Sequence, residues 1–266
     1  MIRRDSVLMV IVKRVALLVV AAALATLVWI VVLEGFDVIR LVGKRPWDVW
    51  QWLFGDADAA ENRAIVLSNL VVTVRDAVVG YALGLSFAFV LAVVFVLSRA
   101  VEQTVIPPIM LARSIPLLVM TPLITLVFGI NLIGVSAVVT AVVFFPALIN
   151  LVYGLRTVNP QHVDLVRAHG GGTWTVLRKV SIPGALPALF ASARLSVPLA
   201  VTGAMIGEWL ATGEGLGGSI SRAAGAFDFN QMWASAVTIS VVTMTAYTIV
   251  SVVEAIVTRR FGAAGE

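Results

Sequence analysis

The sequence predicts an all-α, polytopic membrane protein of about six transmembrane helices, on three observations. The chain is 60% hydrophobic and only 13% charged, with a mean hydropathy of +1.00, whereas soluble domains carry about 25% charged residues. Its apolar runs are long enough to cross a bilayer, which takes about 20 helical residues. Its lysines and arginines fall between those runs in the alternating pattern that orients a membrane protein. The net charge of +4 and pI near 10.0 are therefore scattered rather than gathered into a stripe, which argues against nucleic acid. The absence of cysteine excludes disulfides and thiolate metal sites, and His162 and His169 lack a third ligand nearby, so no metal site is expected.

In chain order, Arg3, Arg4, Lys13 and Arg14 precede a first span, Val15–Leu33. Ala23-Leu24-Ala25 resembles a signal-peptide cleavage site, but the apolar run continues through Trp29, Ile30 and Val32, so an uncleaved span is the better reading. Glu34–Asn69 is polar, with Trp47, Trp50 and Trp52 suited to an interfacial belt and Asp56, Asp58 and Glu61 nearby, and is placed outside the cell. Ala77–Leu97 is the second span, preceded by an interfacial helix holding Arg75 and Asp76. Its Gly80 and Gly84 have the spacing that lets helices approach closely. After a short turn (Ser98, Arg99, Glu102) a third span runs from Pro108 to Phe128, broken by Pro116 and Pro122. Ile133–Leu155 is the fourth, with Pro146 inside it. Such prolines are tolerated where protein or a water-filled pathway satisfies the freed carbonyls. A fifth span, Leu186–Leu210, a glycine-rich loop, Thr212–Gly225, and a sixth span, Trp233–Val257, complete the single membrane domain. With both termini inside, Arg99, Arg156, Arg167, Arg178, Lys179, Arg259 and Arg260 are cytoplasmic.

The longest late polar interruption, Asn159–Pro187, reads as two short helices and a hinge. Asn159-Pro160 starts a helix that runs to His169, where Gly170, Gly171 and Gly172 stop it. Thr173 caps a second helix with Trp174, Leu177 and Val180 on one side, and Pro183 and Pro187 close the unit. Helices below about 12–15 residues are marginal alone, so the unit must pack on its own membrane domain or a partner.

No phosphate-binding loop, paired carboxylates, H-E-x-x-H or G-x-S-x-G occurs, so neither nucleotide hydrolysis nor protease chemistry is expected of this chain. Gly213-Glu214-Gly215-Leu216-Gly217-Gly218 lacks the lysine and strand of a nucleotide loop and reads as a hinge.

At Asp164-Leu165-Val166, Gly170, Trp174, Ile182-Pro183 and Ala185-Leu186-Pro187 the chain resembles the EAA loop of ABC-importer permeases. Arg113-Ser114-Ile115-Pro116, Phe128-Gly129-Ile130, Phe144-Phe145-Pro146, Gly154-Leu155-Arg156 and Gly215-Leu216-Gly217 extend the likeness over residues 66–257. It is greatest to the branch that serves nitrate, sulfonates, taurine and thiamine precursors. The usual Glu-Ala-Ala is Asp-Leu-Val here, which shortens the acid and adds bulk.

The resemblance implies an inner-membrane permease whose cytoplasmic loop (156–186) couples to an ATP-binding subunit through Asp164, Leu165, Val166, Arg167, Gly170, Trp174, Pro183 and Pro187. It also implies a second permease copy and an extracytoplasmic substrate-binding protein, with ATP and magnesium held by the partner and no cofactor on this chain. Arg113, Pro116, Arg194, Glu208 and Trp209 are the candidate pathway and gate residues, the two arginines suiting an anionic solute. Snorkelling is the rival role for Arg113 and Arg194. A self-contained secondary transporter or channel is the alternative; it needs ion-coupling acids or polar residues mid-span, which are few: Glu254 comes nearest, along with the hydroxyls Thr238, Thr243 and Thr245.

Overall fold

Long apolar stretches wind into long helices that run on through Gly80 and Gly84, Pro146 and Pro198, and the sharpest break falls at Pro116. The computed structural model describes residues 7–262. Arg3 and Arg4 lie outside the described residues, as do the side chains of Arg259 and Arg260. Among the described residues five helices are long and apolar enough to span a membrane, or six if one bent pair counts as a single span.

Helix α1 (Val7–Gly35) passes through Ala23-Leu24-Ala25 without interruption. Leu17, Val20, Leu24, Val28 and Val31 are each more than half exposed, a girdle that only lipid or another protein can cover. At its far end Trp29 stacks on Trp233 with ring centroids 5.1 Å apart. The chain then turns over a buried arginine: Arg45 donates to the carbonyls of Gly43 (2.7 Å) and Val38 (3.1 Å) and to the Glu34 carboxylate (3.0 Å). Helix α2 (Pro46–Trp50), continued by the wide turn Gln51–Gly55, splits the expected aromatic belt. Trp47 and Trp50 are exposed, whereas Trp52 packs inward with Val49 and Leu53.

Helix α3 (Ala59–Leu97) is continuous over 39 residues, so the separate interfacial helix expected before the second span is absent. Nothing between Ala59 and Val79 breaks a helix, and the buried Asp76 is paired with Arg75 at 3.0 Å. Helix α4 (Arg99–Ser114) and helix α5 (Leu117–Phe128) meet at 108°, which replaces the expected kinked third span with an elbow. The cause is local. Pro116 disfavours the α conformation of the residue before it, and Ile115 is extended at φ −79°, ψ 126°.

Helix α6 (Leu132–Arg156) is the central post, capped by Asn131, whose side chain accepts from the amide of Ile133 at 2.8 Å. On one side Gly80 and Gly84 of α3 press against Val139 and Val143; a Cβ at position 84 would come 2.8 Å from that of Val143. The paired glycines thus fulfil the expected close approach.

Helices α7 (Pro160–Ala168), α8 (Thr173–Val176, wound on through Leu177–Ser181) and α9 (Ile182–Gly184) form the loop. Helix α10 (Leu186–Gly207, extended by a wide turn Glu208–Thr212) packs against the other side of α6, where Gly203 and Gly207 face Val139, Val142 and Val135. The glycine-rich stretch read as a loop and hinge is instead helix α11 (Gly215–Gly225). Its glycines serve packing: the Cα of Met205 would lie 2.8 Å from a Cβ at Gly217. Helix α12 (Phe229–Gly262) closes the bundle against α10, α11 and α1.

Candidate functional site

The loop after α6 is built from an exposed arm and a buried root. Asn159 caps α7, accepting from the amide of Gln161 at 3.0 Å, and proline occupies the first turn. None of the residues of α7 is buried. Gly170 takes a left-handed φ of +76°, and the Gly170 and Gly171 amides donate to the carbonyls of Arg167 and Val166 at 2.9 Å each. These bonds satisfy carbonyls that the helix end would otherwise leave free.

The second helix is not capped by Thr173: Gly172 holds the cap position and contributes no side chain. Nor do the prolines close the unit. Pro183 and Pro187 sit in the first turns of α9 and α10, where the missing N–H is harmless, so each starts a helix. Trp174 is 60% exposed and parts company with Leu177, which is buried. Leu177 and Ala185 join Phe95, Leu151 and Leu155 in the inner core, and that wedge between α3 and α6 is the root of the loop.

Asp164, Leu165 and Arg167 are exposed on the arm and Val166 is half-buried under Gly171. Asp164, Leu165, Arg167 and Trp174 therefore offer a surface of mixed charge and bulk, with Leu165 59% exposed. No group of three metal-ligating side chains occurs among the described residues.

The residues expected along a pathway are dispersed. Arg113 is exposed in the last turn of α4, and Pro116 caps α5 beside it. Arg194 of α10 lies 3.2 Å from Glu254 of α12, with its guanidinium 5.8 Å from the centre of the Tyr247 ring, so it ties two helices together. Glu208 is fully buried, its Oε2 accepting from the Thr73 hydroxyl and the Gly217 amide at 2.9 Å each. Thr73 in turn accepts from the Leu216 amide at 2.8 Å. Glu208 is thus a clasp between α3, α10 and α11, while its neighbour Trp209 is half-exposed over a groove of 510 Å³ with Met205 and Ile220.

Three side chains escaped sequence reasoning in these roles: Thr73, Glu254 as the partner of Arg194, and Glu102, which Arg156 grips at 2.8 and 2.6 Å. Partners 54 to 135 residues apart carry no local signal.

A sequence profile for the binding-protein-dependent transport system inner membrane component family matches residues 80–263. The chain belongs to that family. It is a multi-pass membrane protein. It is 34% identical to the riboflavin transport system permease protein RibX of Chloroflexus aurantiacus over 60% of each chain. With the formylaminopyrimidine transport permease protein ThiX of Halalkalibacterium halodurans it shares 30% identity over 59% of this chain and 62% of the relative. The putative aliphatic sulfonates transport permease protein SsuC of Bacillus subtilis is 26% identical over 66% of this chain and 64% of its own. The matched stretch is thus less than two thirds of each relative's length.

Proposed function

We propose that this chain is the pathway-forming permease subunit of an ATP-driven importer for a small anionic or polar solute, such as a sulfonate, nitrate or thiamine precursor. The observation that carries this is the loop: an arm with no buried residue, left-handed at Gly170, rooted by Leu177 and Ala185 in the inner core. An arm so exposed and so firmly rooted suits docking into a groove of an ATP-binding subunit, which holds the ATP and magnesium and does the hydrolysis. Coupling requires that the arm bind that subunit differently in its two nucleotide states. Both termini and the loop lie on the cytoplasmic side, and an extracytoplasmic binding protein delivers the solute.

A second copy of the chain completes the pathway. Support comes from α5, whose Leu118, Val119, Leu123, Leu126 and Val127 are 51–82% exposed, and from the apolar groove of 840 Å³ between α3, α5 and α6. The relatives named for riboflavin and formylaminopyrimidine widen the solute class to small heterocycles. Family membership favours this reading over a self-contained secondary transporter or channel, and pairing with Arg194 accounts for the acid such a transporter would need, Glu254.

The test is co-purification with the ATP-binding subunit and uptake into vesicles. Gly170→Pro and Asp164→Trp are expected to abolish ATP-driven uptake while membrane insertion stays normal. Full uptake by both variants overturns the docking role.

A further inference from the structure

Arg156 is the last residue of α6, three before the cap of the docking helix, and its guanidinium joins three helix ends. Nη1 donates to Oε1 of Glu102 at 2.8 Å, and Nη2 donates to Oε2 of Glu102 at 2.6 Å and to the Phe95 carbonyl at 3.2 Å. Phe95 lies in the last turn of α3, where carbonyls have no partner within the helix and a cation is favoured. Glu102 lies in the first turn of α4, where an anion is favoured. Only a planar fork reaches both carboxylate oxygens and the carbonyl together; lysine, a point charge, does not.

The grip matters because α4 is loosely held. It contains no buried residue and rests on the body through the half-buried Val105, Ile106 and Ile109. At its other end comes the 108° elbow into α5, with Arg113 and Pro116 at the bend. Whatever fixes the first turn of α4 therefore sets where the elbow lies.

We propose that Arg156, by gripping Glu102 and the Phe95 carbonyl at the root of the loop, is the positioning residue that carries movement of the docking arm to the α4–α5 elbow. This rests on the docking role of the loop and names the route by which docking reaches the membrane domain. The test reads the response of both ends to nucleotide.

The experiment is amide hydrogen exchange on the full complex with its ATP-binding subunit, without nucleotide and with ADP and vanadate trapped as an analogue of the hydrolysis transition state. In the native complex, exchange changes at residues 160–184 and at residues 110–118. In Glu102→Ala the change at 160–184 remains, while that at 110–118 falls by about fivefold or more. Glu102→Asp, which keeps the carboxylate, retains more of it than Glu102→Ala, and Arg156→Lys, which lacks the planar fork, loses it. A purely stabilising ion pair shifts exchange equally in both nucleotide states and leaves the difference intact. An undiminished difference at 110–118 in Glu102→Ala therefore overturns the proposal. A complex in which residues 160–184 do not respond to nucleotide at all overturns the docking role, and this route with it.

Discussion

Two glycines with the same left-handed backbone have different burdens. Gly170 (φ +76°) has nothing within 4 Å of where a Cβ would stand, so alanine there meets only backbone strain, about 1–2 kcal/mol. Gly215 (φ +63°) has the Glu208 carboxylate in that space, so alanine adds overpacking of about 1–3 kcal/mol to the same strain. Thermal unfolding in detergent should rank Gly215→Ala well below Gly170→Ala; equal midpoints would mean that the Glu208 clasp yields freely. Glu102 supplies a pH test. The hydrogen bonds from Arg156 hold its carboxyl below the usual carboxylate range. A depressed pKa means that the pair stabilises the fold above the unfolded value, about 4.3, and that this contribution fades as pH falls through the folded value. Exposed pairs contribute about 0–1 kcal/mol, so Glu102→Gln should lower stability slightly at pH 7 and lose that deficit under acid. A deficit that persists unchanged in acid would show that the charge is not what Arg156 holds.

At the scale of elements, the seam between α3 and α6 and the elbow between α4 and α5 make opposite demands. The seam needs small residues: Gly84→Val forces a branched side chain against Val143 and is expected to cost about 1–3 kcal/mol, read as a lowered unfolding temperature. The elbow needs proline. Pro116→Ala frees Ile115 to become helical, so α4 and α5 should straighten toward one span, visible as slowed exchange of the amides of residues 115–119. Unchanged exchange there would assign the bend to tertiary packing. Element legibility followed the same physics. Asn159 acts through a side chain that reaches two residues along the chain, and Pro160 and Gly170 through their own backbones, so helix α7 is readable in the sequence to within a residue of its end. The glycines of Gly215–Gly225 are poor helix formers and read locally as a loop, while burial against Met205 and Glu208 outweighs the propensity cost. Pro183 and Pro187 are ambiguous for a related reason, since proline at a helix start and proline after a helix end look alike without the neighbouring turns.

For the whole molecule, the exposed face of α5 and the open apolar groove beside it are expected to be covered in the assembled transporter. Native mass spectrometry of the purified complex should find two copies of this chain, and a stable single copy that supports uptake would overturn the dimer. By itself the sequence determined that the chain crosses a membrane as helices, roughly where, and which loop projects from it. Those features follow from the hydrophobicity of contiguous residues and from the local backbone preferences of glycine, proline and asparagine. Only the tertiary structure decided that Glu208 is a clasp and not a surface contact, that Arg194 belongs to Glu254, and that Arg156 grips Glu102. The physical reason is that a charged side chain takes its partner from what is near in space, and one that leaves water, as Glu208 does, must have a partner there. The partners here lie 135, 60 and 54 positions apart (208 − 73, 254 − 194 and 156 − 102).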